Sequence, residues 1–183
     1  MPASDQGSLT GRYTLIPRTL IFLSCGNRML LIKGAPHKRL WANLYNGIGG
    51  HVERGEDILS AARRELQEET GIEDVNLWLC ALLTIDTGEE TGIGVYVFRG
   101  EYAQDDIENV DSETAICHPF PSEEGELEWI ALSQLSKLPL VEDLYTLLPR
   151  LLTMKPGDTP LSLLYQYGEN GKMKIRFAED RPG

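Results

Sequence analysis

Three glutamates stand close together in one segment of the chain, at Glu65, Glu68 and Glu69. At about 100° per helical residue they would span an arc of roughly 100°, so a helix presents all three carboxylates on one face. Like charges at these spacings repel each other, and a hard divalent cation with oxygen ligands relieves that repulsion. The spacing therefore predicts a metal site rather than an ordinary solvated face.

Two consecutive glycines, Gly49 and Gly50, precede this acidic segment. Without a side chain, their backbone carbonyl and amide groups can approach a metal ion or a phosphate closely. The glycines and the glutamates together are thus the residue types that a metal and phosphate site requires.

The glutamates need a helix to hold them, and the composition of residues 57–70 predicts one. The segment is rich in Ala, Leu, Arg, Glu and Gln, and Gly71 follows it where a left-handed C-terminal cap is favoured. On this helix the acids overlap the edge of the apolar stripe, which is a costly position for charges that have no partner.

Strand signals surround the helix. Residues 13–24 and 29–33 are predicted to pair through a turn at Gly26-Asn27, and residues 75–86 and 93–102 form a second pair. The remaining predictions are a strand over 127–132, a turn over 133–138, a helix over 141–154 that Pro149 kinks or ends, a hairpin formed by 161–167 and 172–177, and an acidic surface loop over 103–124.

Residues 50–72 form a longer motif: Gly50, five residues, Glu56, seven residues, and then Arg64-Glu65-Leu66-Gln67-Glu68-Glu69-Thr70-Gly71-Ile72. This motif resembles the box of the Nudix hydrolase family. The resemblance implies an α/β (α+β) Nudix fold, with a mixed sheet sandwiched between helices and a C-terminal hairpin. It also implies that Mg²⁺, or Mn²⁺ as a substitute, is held by Glu65, Glu68, Glu69 and a backbone carbonyl at Gly49 or Gly50, with Arg64 and Glu56 as a paired orienting couple or a purely structural salt bridge.

The reaction that the family resemblance implies is hydrolysis of a nucleoside diphosphate derivative by an attacking water. A carboxylate must take the proton of that water, and Glu65, Glu68 and Glu124 are all candidates. The formal net charge of −11 repels long nucleic acid, whereas bridging cations still permit a small polyphosphate. The predicted partner is therefore a nucleotide substrate and no long nucleic acid.

Segments outside the box resemble the MutT-type branch and its 8-oxo-dGTP diphosphatases. They are residues 45–50, residues 123–129 and residues 141–145. This resemblance implies that Asn46, Glu142 and Asp143 read the purine and that Glu124 approaches the metals. Asn46 can instead be a turn residue, Glu142 and Asp143 can be helix N-terminal charges, and Trp41 and Tyr45 either stack on the base or pack in the core.

These predictions combine into one Nudix domain over 11–183, with the box at 50–72 and the hairpin at about 159–178, behind a flexible N-terminus at 1–10. The expected activity is Mg²⁺-dependent hydrolysis of 8-oxo-dGTP or a related nucleotide to monophosphate and pyrophosphate, which would sanitise the nucleotide pool. Hydrolysis of another derivative such as ADP-ribose, and a non-catalytic nucleotide-sensing module, remain as alternatives. Three separated cysteines and the lack of a long apolar run predict a cytoplasmic protein without a membrane partner, as a monomer or a homodimer.

Overall fold

The computed structural model describes residues 11–102, 125–168 and 171–180. The predicted N-terminal segment and the predicted acidic loop, including Glu124, lie outside these residues. Eight strands, two α-helices and two 3-10 helices are found in the described part. In chain order they are β1 (Thr14–Cys25), β2 (Arg28–Gly34), β3 (Tyr45–Asn46), α1 (Ile58–Thr70), β4 (Leu77–Asp86), β5 (Thr91–Glu101), β6 (Gly125–Ala131), a 3-10 helix (Leu132–Lys137), α2 (Leu144–Leu151), β7 (Leu161–Tyr167), β8 (Met173–Phe177) and a 3-10 helix (Ala178–Asp180).

The strands form one mixed sheet in the order β3-β2-β1-β5-β4-β7-β8, with β6 pairing with β2 beside this path. The β1–β5 and β4–β7 pairs are parallel, and the other pairs are antiparallel. Both predicted hairpins of the first half are present, and the C-terminal hairpin adds β7 and β8 at one edge. The predicted mixed sheet is confirmed.

Each face of the sheet carries its own apolar core, because successive strand residues point to opposite sides. On one side Ile21 and Leu23 of β1 pack with Ala62 and Leu66 of α1. On the other side Phe22 of β1 packs in a cluster with the four buried leucines of α2, which are Leu144, Leu147, Leu148 and Leu151. Full burial of such a side chain stabilises the fold by roughly 1.5–3 kcal/mol. The predicted sandwich of the sheet between α1 and α2 is confirmed.

Helix α1 begins and ends at the predicted residues. The Asp57 side chain accepts hydrogen bonds from the backbone N–H groups of Leu59 and Ser60, each at 3.0 Å. At the other end Gly71 adopts φ 71° and donates its backbone N–H to the Gln67 carbonyl at 2.8 Å. Both ends are therefore closed by local hydrogen bonds, which is why this helix is readable from the sequence.

Helix α2 is shorter than the predicted 141–154. Val141 donates its backbone N–H to the Tyr45 carbonyl at 3.0 Å, so the start of the predicted helix pairs with β3 instead. Pro149 lies inside the helix and does not end it. Past the last turn, the buried Arg99 guanidinium donates to the carbonyls of Leu151 and Met154 at 2.7 and 3.0 Å. Long-range pairing therefore sets the start of α2, and Arg99 contacts its C-terminal end.

Two of the cysteines, Cys25 and Cys80, are buried and form no disulfide with each other, as expected for apolar strands. Burial raises the pKa of Cys80 to about 11, which keeps that thiol protonated at neutral pH. None of the helices in residues 11–102, 125–168 and 171–180 is long and apolar enough to cross a membrane.

Candidate functional site

The glycine segment that precedes α1 runs antiparallel alongside β1. The Thr19 N–H donates to the Gly50 carbonyl at 2.9 Å, and Ile21 and Ile48 exchange backbone hydrogen bonds of 2.6 and 3.1 Å. These bonds hold the backbone of Gly49 and Gly50 between β1 and the first turns of α1. The sheet therefore fixes the position of the glycines before any ligand is considered.

Neither glycine position leaves room for a side chain. Gly49 has φ +148°, and a Cβ there would overlap the Thr19 carbonyl oxygen. A Cβ on Gly50 would lie 2.5 Å from the Glu65 carboxylate. Glycine at these two positions thus lets the backbone meet β1 on one side and an acidic side chain on the other.

Arg64 is the centre of an ion-pair network. Its guanidinium contacts Glu56 twice, with Nη2–Oε1 at 2.8 Å and Nε–Oε2 at 3.2 Å. Its Nη1 also donates to Glu65 at 2.9 Å and to Glu68 at 3.1 Å, while Nη2 donates to the His51 carbonyl at 3.0 Å. The hydrogen bond from Arg64 is the main cause that lowers the pKa of Glu56. The predicted Arg64–Glu56 couple is therefore paired, and it holds two box glutamates in place.

Glu69 is a half-buried member of the acidic arc with one fully buried oxygen. Its Oε2 atom is inaccessible to solvent and has no hydrogen-bond partner in the described structure. Burial, and then repulsion from Glu65, raise the pKa of Glu69 to about 7, although the Gly49 N–H and the charge of Lys38 act in the opposite direction. A carboxylate oxygen that is buried without a donor is unfavourable unless a cation is bound beside it.

The acidic arc supplies the kind of ligands that a hard divalent cation takes. Glu65 is 14% exposed and Glu68 is 59% exposed, so the arc extends from the core to solvent. Within the described residues no three Asp, Glu, His or Cys side chains stand together as a metal-binding group, and Glu65 and Glu68 each direct an oxygen to Arg64. The unpartnered oxygen of Glu69 fits such a cation, whereas the Gly50 carbonyl already accepts the Thr19 N–H.

Asn46 lies at the other end of the glycine segment, in β3. Its Oδ1 accepts the backbone N–H of Gly47 at 2.8 Å, which is the turn role that the sequence left open. The Nδ2 amide is then the atom with which Asn46 would contact a ligand. Because the Tyr45 carbonyl accepts the Val141 N–H, β3 also lies directly beside the chain that leads to Glu142 and Asp143. The structure thus places the backbone of Asn46 close to the start of α2, where Glu142 and Asp143 lie.

The two aromatic residues predicted to stack or pack have different surroundings. Tyr45 is buried, its hydroxyl donates to both Glu128 oxygens at 3.0 Å, and Lys33 Nζ lies 5.7 Å from its ring centroid. Trp41 is 44% exposed and has φ 60°. Tyr45 is therefore a packing residue, and the stacking role is left to Trp41.

Glu142 is exposed, whereas Asp143 is half-buried at the start of α2. The Asp143 carboxylate makes no capping hydrogen bond to that helix. Instead its Oδ2 accepts the hydroxyl of Tyr165 at 3.2 Å. Burial raises the pKa of Asp143 above its ordinary value, and the Tyr165 hydroxyl, followed by the backbone N–H groups of Asp143 and Leu144, offsets this only in part. The side chain thus makes its hydrogen bond to a distant residue and no capping hydrogen bond to α2.

We expect Asp143→Asn to stabilise the protein increasingly as the pH is raised above the ordinary pKa of an aspartate. Because the pKa is raised in the folded state, the unfolded chain loses this proton first. The free energy of unfolding therefore falls as the pH rises through the interval between the two pKa values, and the asparagine removes that loss. Urea unfolding of the wild type and the variant at several pH values measures this difference in the free energy of unfolding. Glu142→Gln, at the exposed neighbour, is the matched control, and a benefit that does not grow with pH would contradict the burial argument.

Sequence reasoning did not single out two residues that act on the site. Lys38 lies in the loop between β2 and β3, and its charge acts on Glu69. Tyr165 contacts Asp143 from the C-terminal hairpin. In the sequence, the basic pair Lys38-Arg39 is only a weak indication that Lys38 acts on the site. Nothing in the sequence around Tyr165 indicates a role in the site, since a buried aromatic residue in any strand would look the same.

The chain is similar in sequence to proteins of a known family. The model of the NUDIX domain matches residues 15–151. The oxidized purine nucleoside triphosphate hydrolase of Danio rerio is 32% identical over 117 residues, which cover 64% of this chain and 67% of that protein. The protein of the same name from Mus musculus is 31% identical over the same lengths.

Solved structures share the fold. The mutator MutT protein of Bacillus halodurans superposes with a TM-score of 0.68 at 21% identity, covering 91% of this chain and all of that one. The MutT protein of Methanosarcina mazei gives a TM-score of 0.58 at 20% identity, over 79% of this chain and 96% of that chain. At these identities the likeness concerns the fold alone.

Proposed function

The chain belongs to the NUDIX family of hydrolases that act on nucleoside phosphoric anhydrides, and from this premise we propose that its substrate is an oxidised purine nucleoside triphosphate such as 8-oxo-dGTP. The products would be the nucleoside monophosphate and pyrophosphate, with Mg²⁺ as the metal. The names of the two vertebrate relatives support this substrate class.

One observation carries the proposal: a single short segment, residues 45–50, connects the candidate base-reading residues to the box. At one end the Tyr45 carbonyl accepts the Val141 N–H, so Asn46 is close to the start of α2. At the other end Gly50 lies against the Glu65 carboxylate. At about 3.3 Å per extended residue, Asn46 and Gly50 are at most roughly 13 Å apart. Base contacts and phosphate contacts would thus lie at the two ends of one segment.

In this proposal Glu65, Glu68, Glu69 and a backbone carbonyl at Gly49 or Gly50 hold the Mg²⁺ ion, with Glu124 as a further ligand. When bound, the metal supplies positive charge against the phosphate oxygens of an otherwise acidic site. Arg64 neutralises part of the repulsion between Glu65 and Glu68, and Glu56 holds Arg64 with two hydrogen bonds. The Arg64–Glu56 pair would therefore keep the Glu65 and Glu68 carboxylates oriented while they are negatively charged.

A carboxylate must also accept the proton of the attacking water. Glu65 is partly shielded and bonded to Arg64, and Glu68 is exposed and bonded to the same Nη1 atom. Both are within the described residues, and Glu124 is the third candidate for this proton transfer. Single Gln variants of Glu65, Glu68 and Glu124 would distinguish the general base from the residues that only bind the metal.

At the base, Asn46 would donate from Nδ2, and Asp143 would accept from the purine or, when protonated, donate to it. Burial of Asp143 favours the protonated form more than solvent does. Trp41 offers an exposed ring for stacking. An oxidised purine presents a different pattern of donors and acceptors from an unmodified one, so such a site would discriminate between them.

We expect hydrolysis to release pyrophosphate and a nucleoside monophosphate as the primary products. Running the reaction in ¹⁸O-labelled water and locating the label by mass spectrometry shows which phosphorus the water attacks. Orthophosphate and a nucleoside diphosphate as primary products would contradict the proposed reaction. The same assay on ADP-ribose tests the alternative substrate, and nucleotide binding without any turnover would favour a sensing module.

A further inference from the structure

We propose that Tyr165, in the C-terminal hairpin, is a positioning residue that orients Asp143 for recognition of the base. The inference rests on the proposed function, because it concerns the same binding site. It assigns a role in substrate selection to β7 and β8, which lie outside the box and beyond the residues that the family model matches.

The contact itself is a partly buried hydrogen bond between distant parts of the chain. Tyr165 is 2% exposed, and its hydroxyl lies 3.2 Å from Asp143 Oδ2. Asp143 occupies the N-cap position of α2, where an aspartate ordinarily accepts from the backbone of the first turn, yet its side chain makes no such bond. Tyr165 therefore engages the carboxylate that the helix leaves uncapped.

The C-terminal hairpin holds the Tyr165 hydroxyl in a fixed position. Tyr165 pairs with Ile85 of β4 in parallel and with Ile175 of β8 in antiparallel register. At the far end of β8 the Phe177 ring lies under the Arg150 guanidinium of α2, with 3.5 Å between Cζ and the ring centroid. The hairpin is thus fixed to the sheet on one side and to α2 on the other, so the hydroxyl and Asp143 keep a constant relation.

Loss of the hydroxyl would release the carboxylate. An aspartate without this donor is free to turn toward the N–H groups of the first turn of α2, which are the usual partners at that position. The base would then meet a carboxylate in several orientations instead of one. Because the proposed metal ligands Glu65, Glu68 and Glu69 belong to α1, the change should reduce base discrimination and leave the chemical step nearly unaffected.

The decisive variant is Tyr165→Phe, which keeps the buried ring and removes only the hydroxyl. We expect KM for the preferred purine triphosphate to rise about 10-fold, with kcat changed less than about twofold, since the orientation of Asp143 affects binding of the base and not the chemical step. Tyr167→Phe is the matched control, because Tyr167 lies in the same strand and is 57% exposed. That control should behave as the wild type.

The measurement is a panel of 8-oxo-dGTP, dGTP, dATP and dCTP, for which kinetic constants and calorimetric dissociation constants are determined in parallel.

In an Asp143→Ala background, Tyr165→Phe should cause no further loss of discrimination, because both changes remove the same interaction. An equal loss for all four nucleotides, or unchanged kcat/KM ratios among them, would overturn the role of Tyr165. The wild-type ranking tests the proposed substrate separately. If the wild type prefers another base and Tyr165→Phe weakens that preference, the proposed substrate is wrong and the role of Tyr165 is supported. A wild type without any base preference would overturn both.

Discussion

Glu69→Gln is expected to lower kcat at least about 100-fold, or about 2.7 kcal/mol of transition-state free energy, while the chain remains folded. The amide keeps the volume of the side chain and can still accept the Gly49 N–H. It removes the negative charge at the buried Oε2 atom, which has no protein donor in the described structure. A metal ligand at this position therefore loses its charge without loss of packing.

Steady-state rates at saturating nucleotide and Mg²⁺ test this expectation, together with thermal unfolding and a calorimetric titration of Mn²⁺. Glu89→Gln, in the exposed turn between β4 and β5, makes the same chemical change away from the site and should retain full activity. A Glu69→Gln enzyme with normal turnover and normal metal affinity would remove this residue from the metal site. A loss of folding would be visible in the unfolding curve.

Truncation of Asn46 or Asp143 to Ala is expected to reduce the kcat/KM ratio of 8-oxo-dGTP over dGTP by about 10–100-fold. A site that hydrogen-bonds a base discriminates strongly, because the wrong base leaves its own polar atoms without partners. Metal-dependent turnover of a poor substrate should fall much less, since the proposed metal ligands of α1 are unchanged. The ratio, rather than the rate itself, is therefore the quantity to measure.

Asn76→Ala is a suitable control for these variants, because Asn76 is exposed just before β4, past the C-terminal end of α1. It should preserve both the rates and the ratio. If Asn46→Ala and Asp143→Ala keep the wild-type order of substrates, the base is recognised elsewhere. The choice of an oxidised purine would then lose its residue-level support, although membership of the family would be unaffected.

The parts of the molecule that are readable from the sequence depend on short-range interactions. The caps of α1 at Asp57 and Gly71, and the arc of Glu65, Glu68 and Glu69, follow from spacing and from hydrogen bonds within a few residues. The first hairpin follows from Gly26-Asn27 between two apolar runs. The box motif belongs to the same class, because its residues lie within one loop and one helix. Local geometry is the same in any tertiary context, so these features were predicted correctly.

The features that needed the tertiary structure depend on partners far away in the chain. The pairing of Val141 with Tyr45 shortens α2 and brings Asn46 beside the start of that helix. Burial leaves Tyr45 as a packing residue, and burial also raises the pKa of Glu69 to about 7. The contact of Tyr165 with Asp143 joins residues from a hairpin and a helix that no local pattern relates. Burial and cross-strand pairing are properties of the assembled sheet, and for that reason the sequence alone identified the residues of the box but not the neighbours that orient the rest of the site.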